Sequence, residues 1–369
     1  MKVKISGAIS RRDRHQNVFR VSVCLERLEN RTVLSSGALD PNFGSDGHVL
    51  TDFPGPTNCA AYALAPTPDG KLIAAGTSAG NFAVLRYDAN GSVDPTFGSG
   101  GQVITTISGS GQARAVTLQS DGKIVAAGFS ADNFALVRYL ADGSLDPSFG
   151  SGGEVTTDFG ANDNAFGVVE QPDGKILAAG TSGGSLALSR YLANGSLDPS
   201  FGNDGKVSGV NGLGTVYTVA LQSDGKIITG GSSGELARFL TNGSLDTGFG
   251  NGGSVNTNLG SNETINALTV LPNDEIIVAA QAGENFALAQ YQPDGSVDTS
   301  FGSGGVVTTN FGGYDGANAL AVVNGAIVAA GFSNAVSPSN YTYNFAVARY
   351  RMDGSADTSF GNDGKVISD

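Results

Sequence analysis

Residues 97–150 read FGSGGQVITTISGSGQARAVTLQSDGKIVAAGFSADNFALVRYLADGSLDPSFG, and this stretch decides the fold. Four short runs that are apolar or alternate apolar with polar lie between glycine-containing turns, which is typical of β-strands. The predicted strands are residues 102–107 (QVITTI), 113–118 (ARAVTL), 124–128 (IVAAG) and 134–139 (FALVRY). The Asp-Gly pair at 121–122 indicates a tight hairpin, because glycine adopts positive φ without steric cost.

The phrase Asp-x-x-Phe-Gly that ends this stretch recurs along the chain. Its phenylalanines are Phe43, Phe97, Phe149, Phe201, Phe249, Phe301 and Phe360. A period of about 52 residues indicates a repeat architecture, and four short strands per repeat are typical of a propeller blade. The sequence therefore predicts an all-β, six-bladed β-propeller of four-stranded blades over residues 37–369. The alternative is a linear solenoid, which would need distinct capping repeats that the sequence does not show.

Seven Phe-Gly turns bracket only six copies of the other strands. The surplus strand is residues 365–368 (KVIS), at the C-terminus. We expect it to pair into the blade that holds residues 48–51 (HVLT), which would close the ring and remove exposed sheet edges.

Composition excludes several classes of protein. Glycine contributes 55 of 369 residues while 40% of residues are hydrophobic, which fits many short strands joined by turns rather than disorder. The net charge of −13 makes nucleic acid an unfavourable partner. No apolar run is long enough to span a membrane as a helix. Two cysteines and two histidines are too few for a transition-metal site, and two cysteines imply no disulfide framework.

Residues 1–36 differ from the rest of the chain. They hold eight Lys/Arg and three Asp/Glu, whereas the remaining residues are strongly acidic. The stretch 27–35 (RLENRTVLS) resembles the Leu-Glu-(Pro)-Arg-x-Leu-Leu motif of exported proteins of planctomycete bacteria, although Asn30 replaces the usual proline and Val33 the first leucine. The resemblance implies a targeting or processing segment and an extracellular or cell-envelope location.

The repeat itself resembles the bacterial delta-60 repeat, on the phrases Asp-x-x-Phe-Gly, Asp-Gly-Lys and Phe-Ala-x-x-Arg-Tyr. The resemblance covers residues 37–369 and implies a propeller whose function is undefined. It supplies no activity and no site residue.

Each copy also holds a basic or amide residue eight positions before an aspartate, and this spacing predicts structural pairs. The pairs are Arg86 with Asp94, Arg138 with Asp146, Arg190 with Asp198, Arg238 with Asp246, Gln290 with Asp298, and Arg349 with Asp357. We expect bidentate bridges between a strand and the following turn. The functional alternative is a ring of arginines that binds anions in the central channel.

The copies differ most in the sixth, which contains an additional loop at residues 334–343. Tyr341 and Tyr343 in this loop are the candidate ligand-binding residues, since aromatic rings stack on sugars or partner proteins. Calcium is a possible cofactor because Asp and Asn crowd turns such as 203–205 (NDG) and 362–364 (NDG). The same residues also suit tight turns for backbone reasons alone.

These observations favour a non-catalytic, exported module that binds or supports other molecules at the cell surface, with a protein or a glycan as its partner. No catalytic residue is predicted. Gly-x-Ser-x-Gly phrases lack the helix and the downstream histidine of a hydrolase. The alternatives are a propeller enzyme, such as a lyase or glycan hydrolase acting from the central funnel, and a calcium-assisted lectin.

Overall fold

The chain folds into successive four-stranded antiparallel sheets, each made from one continuous piece of sequence. The computed structural model describes residues 37–51, 59–210, 212–334 and 343–368, which form six sheets and no helix. In every sheet the strands follow one another in chain order from the first to the fourth. The six-bladed β-propeller predicted from the sequence is confirmed.

The first three blades hold β1 to β12. Blade 1 comprises β1 (Cys59–Pro66), β2 (Leu72–Ser78), β3 (Asn81–Tyr87) and β4 (Gln102–Thr105). Blade 2 comprises β5 (Gly111–Leu118), β6 (Ile124–Ser130), β7 (Asn133–Tyr139) and β8 (Glu154–Thr157). Blade 3 comprises β9 (Asp163–Glu170), β10 (Ile176–Ser182), β11 (Ser185–Tyr191) and β12 (Lys206–Ser208).

The remaining three blades hold β13 to β24. Blade 4 comprises β13 (Val216–Leu221), β14 (Ile227–Gly231), β15 (Glu235–Phe239) and β16 (Ser254–Asn256). Blade 5 comprises β17 (Thr264–Val270), β18 (Ile276–Ala282), β19 (Asn285–Tyr291) and β20 (Val306–Thr309). Blade 6 comprises β21 (Asp315–Val323), β22 (Ala326–Ser333), β23 (Asn344–Arg351) and β24 (Lys365–Ser368).

The first strands of neighbouring blades lie side by side, so they surround the axis and the fourth strands form the outer edge. Strand β5 packs on both β1 and β9, and β17 packs on both β13 and β21. Five apolar cores fill the spaces between consecutive blades from 1 to 6. The burial of both sheet faces explains why the second and third strands are apolar almost throughout.

The boundary between blades differs from our prediction by one strand. Residues 102–105 pair with β3 and belong to blade 1, whereas the sequence suggested that they open the next unit. The chain reverses at the Phe97-Gly98 turn and returns along the preceding strand, so each blade receives its fourth strand after that turn.

The predicted closure by the C-terminal strand is wrong for the same reason. Strand β24 pairs with β23 of its own blade, with Lys365 opposite Ala348. In the part of the chain that the structure describes, residues 48–51 form no strand. Their one β-bridge joins His48 to Ser45. Strand β24 is therefore the ordinary fourth strand of blade 6, and residues 48–51 are an additional copy of the fourth-strand sequence that does not form a strand.

Residues 37–51 lie between blades 6 and 1. The Gly44 N–H donates to the Asn90 carbonyl at 2.6 Å, and the Tyr87 hydroxyl donates to Thr51 Oγ1 at 2.8 Å. Gly37 lies against the Phe360 ring of blade 6. The segment thus contacts both neighbours, as a fourth strand does elsewhere in the ring.

The strands of blades 6 and 1 pack together less than those of any other neighbouring pair in the described part of the chain. No apolar core joins the two blades among these residues. Ala61 is exposed, whereas its counterparts Ala113 and Ala165 are fully buried. Tyr87 is half-buried, whereas Tyr139 is fully buried. We call this junction the seam.

Candidate functional site

The predicted arginine–aspartate pairs are salt bridges inside the blades. Nε of Arg86, Arg138, Arg190, Arg238 and Arg349 lies 2.7–2.8 Å from one carboxylate oxygen of its aspartate. In blade 2 the other oxygen of Asp146 accepts hydrogen bonds from the N–H and the hydroxyl of Ser148. Because that oxygen is already occupied, the arginine uses Nε rather than the two-pronged contact expected from the sequence. These bonds explain why the aspartate is followed two residues later by Ser or Thr in every pair except that of blade 4, where Gly248 donates only its N–H to Asp246.

The same arginines tie each blade to the next. Nη1 of Arg138 donates to the Ala193 carbonyl of the following blade at 2.5 Å, and its guanidinium carbon lies 4.5 Å from the centre of the Phe149 ring. Nη1 of Arg86 and Arg190 donates to the corresponding carbonyls of Ala141 and Thr241. The arginines lie on third strands rather than on the first strands that surround the axis. They do not form an anion-binding ring in the channel.

The pKa of four aspartates in these pairs is lowered, so that they stay ionised into the acid range: Asp94, Asp146, Asp198 and Asp357. Burial alone would raise the pKa of Asp198, but hydrogen bonds from Ser200 and the charges of Arg190 and Lys175 lower it to about 2. The pKa of Asp146 is lowered by the same kind of contacts, against the effect of burial.

Blade 5 departs from this arrangement. Gln290 takes the place of the arginine, and its Nε2 donates to Glu275 Oε2 at 2.6 Å instead of to Asp298. Glu275 itself stands where four other copies have a lysine. A cleft of about 380 Å³ opens beside Gln290, between the Leu271–Glu275 turn and Met352 of blade 6.

Of the two candidate tyrosines in the sixth copy, the structure describes only Tyr343. Tyr341 lies outside the described residues. Tyr343 is 36% exposed, and its ring meets Phe332 edge-on with the centroids 5.0 Å apart. Tyr314, which is 37% exposed, lies 5.9 Å from the same Phe332 ring. Blade 6 therefore presents a small aromatic patch around Phe332.

A second group of residues, which the sequence analysis did not select, lines the axis. Each first strand has a β-bulge at the same point, and the bulged residue has no paired partner on the second strand. These bulged residues form the axial cluster, which comprises Tyr62, Arg114, Phe166, Tyr217, Asn266 and Asn318. Bulges redirect side chains and are common next to functional sites. All six side chains are half-buried.

The axial cluster is arranged as three touching pairs from neighbouring blades. The guanidinium carbon of Arg114 lies 4.2 Å from the centre of the Tyr62 ring. The rings of Phe166 and Tyr217 have centroids 5.3 Å apart. On the opposite side, Asn266 Nδ2 donates to Asn318 Oδ1 at 3.2 Å. The axial cluster therefore presents one cation over a tyrosine ring, two further aromatic rings tilted against each other by 54°, and a pair of amides.

Arg114 differs from the five arginines of the Arg–Asp pairs because it forms no salt bridge. Its guanidinium lies between Tyr62 and Phe129, and its Nε is buried without a hydrogen-bond partner. Burial lowers the pKa of Arg114, since the charged group loses part of its hydration without gaining a carboxylate. A carboxylate or other anionic group arriving in the channel would satisfy this cation.

The sequence contained a signal for the axial cluster. The flanking residues are small or aliphatic in each copy, as in Ala113-Arg114-Ala115 and Ala317-Asn318-Ala319, while the central residue changes character between copies. A position that varies inside an otherwise repeated strand indicates a site where blade symmetry is broken.

No metal centre is found in the described part of the chain. Within residues 37–51, 59–210, 212–334 and 343–368, no three His, Cys, Asp or Glu side chains are grouped so as to hold a metal ion. Asp204 and Asp363, in the turns considered for calcium, adopt φ values of 49° and 50°. Those turns therefore use Asp for its tolerance of the left-handed conformation. The described residues include no helix long and apolar enough to cross a membrane.

Repeated four-stranded blades around an axial cluster define a repeat protein of the β-propeller class. The chain belongs to the family described as a domain of unknown function (DUF5122) beta-propeller, whose family model matches each of the six copies. The matched residues are 67–97, 119–149, 171–201, 222–249, 271–301 and 324–360. No curated protein sequence matches the chain.

Several solved structures share the fold at low sequence identity. Virginiamycin B lyase from Staphylococcus aureus has a TM-score of 0.52 at 13% identity, covering 79% of this chain and 84% of that one. The PQQ-bound aldose sugar dehydrogenase from Streptomyces coelicolor has a TM-score of 0.50 at 15% identity, covering 79% and 94%. A protein from Lactobacillus plantarum has a TM-score of 0.54 at 12% identity, covering 84% of each chain. These likenesses show the fold alone.

Proposed function

We propose that this propeller is a non-catalytic binding module whose axial cluster receives a sugar that carries a carboxylate group. The observation that carries the proposal is the state of Arg114, a cation held between two aromatic rings with a buried, unpaired Nε and no salt bridge. A half-buried guanidinium that has no carboxylate partner and one buried, unpaired nitrogen is unfavourable, so a ligand that supplies an anion gains that interaction on binding.

The rest of the axial cluster suits the other parts of a sugar acid. Phe166 and Tyr217 offer aromatic faces on which the apolar face of a pyranose ring can stack. Asn266 and Asn318 offer amide donors and acceptors to hydroxyl groups. The chain carries a net charge of −13, which repels a long polyanion. A short ligand with a single carboxylate is therefore favoured over an acidic polymer.

Binding is favoured over catalysis by the chemistry of these six side chains. A lyase or glycan hydrolase needs an acid and a base placed on either side of the bond that breaks. The axial cluster contains no carboxylate and no histidine. Its single ionisable cation orients and neutralises an anion but does not transfer a proton near neutral pH.

We further propose that the module acts outside the cell or in the envelope. Support comes from the basic residues 1–36 and their likeness to the export motif at residues 27–35. Fractionation of bacteria that express the full chain or residues 37–369 tests this point. If residues 1–36 direct export, we expect the full chain outside the cytoplasm and the shortened chain inside it. Recovery of both chains in one compartment would reject this role of residues 1–36.

Calorimetric titration of residues 37–369 with glucuronic acid, a digalacturonate and the matching neutral sugars tests the binding proposal. We expect the acidic sugars to bind and the neutral sugars to bind at least about tenfold more weakly, since a desolvated charge-assisted contact contributes about 1.5–3 kcal/mol. R114Q should remove this preference. R351Q changes the same charge at an exposed position on β23 and should leave it intact.

Two results would reject the proposal. Equal affinity of R114Q and the unaltered protein for the acidic sugars would show that the axial cluster is not the site. Cleavage products in the titrated mixtures, detected by mass spectrometry and absent with R114Q, would show that the module is an enzyme.

A further inference from the structure

Blade 5 replaces both cations of a site that blades 1 to 4 share. In blade 2, Lys123 and Arg138 accompany Asp121 and Asp146, so the four side chains are neutral together. The blade 5 counterparts are Glu275 and Gln290, with Asn273 and Asp298, and these four carry a charge of −2. Glu275 reverses the charge of the lysine, and Gln290 removes the charge of the arginine. These two changes alter the chemistry of the site and not only its shape.

The other blades show what this site is built to hold. In blade 4 the Arg238 guanidinium contacts Asp246 through Nε, donates from Nη1 to the Pro293 carbonyl of the next blade, and lies 4.7 Å over the Phe249 ring. Blades 1, 2 and 3 repeat the same three contacts. The site is a socket for one guanidinium, with a carboxylate, a carbonyl and a ring face.

Blade 5 keeps the frame of this socket without the guanidinium. The turn of blade 6 lies where the turn of blade 5 lies for blade 4, because Gly302 N–H donates to the Asp353 carbonyl at 2.8 Å just as Gly250 N–H donates to Asp294. That position brings Met352 to the cleft. The Phe301 ring is buried, at 1% exposure. Asp298 uses one carboxylate oxygen for Ser300 and forms no salt bridge.

Gln290 is poised toward the same cleft with an unused acceptor. The residue is 5% exposed, and its Oε1 is buried without a hydrogen-bond partner, since Nε2 makes the only side-chain hydrogen bond. A buried acceptor without a donor costs about 1–3 kcal/mol. The cleft also contains the Glu275 side chain and opens to solvent between the two blades. Two of its polar groups, the Glu275 carboxylate and Gln290 Oε1, are acceptors without a cationic donor.

We propose that the cleft between blades 5 and 6 binds an arginine side chain of a partner protein. The incoming guanidinium would donate to Gln290 Oε1, to Glu275 and to the Met352 carbonyl, and so replace the intramolecular arginine of the other blades. Its planar fork of five N–H groups can donate to several acceptors at once in a fixed geometry, which a lysine ammonium cannot. This site is separate from the axial cluster and does not depend on a sugar ligand.

The test is an NMR titration of the full chain with Nα-acetyl-arginine amide as the probe. Nα-acetyl-citrulline amide has the same shape without the charge, and Nα-acetyl-lysine amide has the charge without the fork. We expect saturable binding of the arginine probe, with an affinity near 1 mM for so small a contact, and binding at least about tenfold weaker for the other two probes.

Q290R supplies the socket with its own guanidinium, as in blades 1 to 4, and so preserves the fold. We expect Q290R to weaken binding of the arginine probe by at least about tenfold and to raise the melting temperature. E284Q makes the same change in net charge on an exposed turn of blade 5 and should bind as the unaltered protein does.

Three outcomes overturn the proposal: no saturable binding of the arginine probe, equal binding of the citrulline probe, or unchanged binding by Q290R. R114Q should bind the arginine probe normally. The result at this cleft is therefore read independently of the sugar titrations at the axial cluster.

Discussion

The replacement of Arg138 by methionine is the sharpest test of how the blades are held together. Arg138 and Asp146 are each 3% exposed, and Nε lies 2.8 Å from the carboxylate. Methionine keeps the apolar length of the side chain but leaves Asp146 buried without its main cation. Breaking a buried pair in this way costs about 3–5 kcal/mol. Lys123, whose Nζ lies 3.8 Å from Asp146, offsets part of this loss, so we expect a cost near 3 kcal/mol.

The assay is urea unfolding of residues 37–369, monitored by circular dichroism. R349M is the matched control, because its pair with Asp357 lies at the seam and both side chains are more exposed. We expect it to cost about 1 kcal/mol. In the R138M background, D146N should recover stability, since it removes the orphaned charge. Equal effects of R138M and R349M, or no recovery by D146N, would refute the claim that these arginines tie the blades.

Three further predictions concern acid stability, a hydroxyl pair and the C-terminal strand. The folded-state pKa of Asp198 is lowered to about 2, so its contribution is present above pH about 4 and disappears as the pH falls toward 2; melting temperatures should drop over that range, and less so in D198N. Y191F removes the 2.7 Å bond between Thr157 Oγ1 and the Tyr191 hydroxyl and the 2.9 Å bond that the Ser189 hydroxyl donates to it, and should cost about 2 kcal/mol in urea unfolding; a cost indistinguishable from zero would contradict it. Deletion of residues 359–369 removes β24 and exposes the edge of β23, so the melting temperature should fall sharply; an unchanged value would mean that this strand is not part of the blade.

The repeat made the four strands of a blade easy to predict from the sequence. It did not show where one blade ends and the next begins. Asp-Gly turns and apolar runs are local signals. They identified the strands because each strand is one short run between two such turns. Which sheet receives residues 102–105 depends on where the chain reverses in three dimensions. The Phe97-Gly98 turn returns the chain to β3, and nothing local in the sequence distinguishes this from the start of a new sheet.

At the candidate sites, too, the sequence predicted contacts within one blade but not contacts between blades. The fixed spacing from arginine to aspartate predicted a contact between strand and turn, since both ends lie in one blade. The carbonyl that each arginine contacts in the next blade, such as that of Ala193, lies about one repeat away and leaves no spacing signal. The sequence marks Gln290 as the one exception among the pairs, but no local pattern places Glu275 beside it, because that contact depends on the pairing of two strands.

A crystal structure of residues 37–369 with a bound sugar acid would test the central claim most directly. The account predicts that the carboxylate lies within hydrogen-bond distance of Arg114 and that the pyranose ring stacks on Phe166 or Tyr217 at the axis. A sugar bound instead at the aromatic patch around Phe332, with Arg114 unchanged, would contradict it.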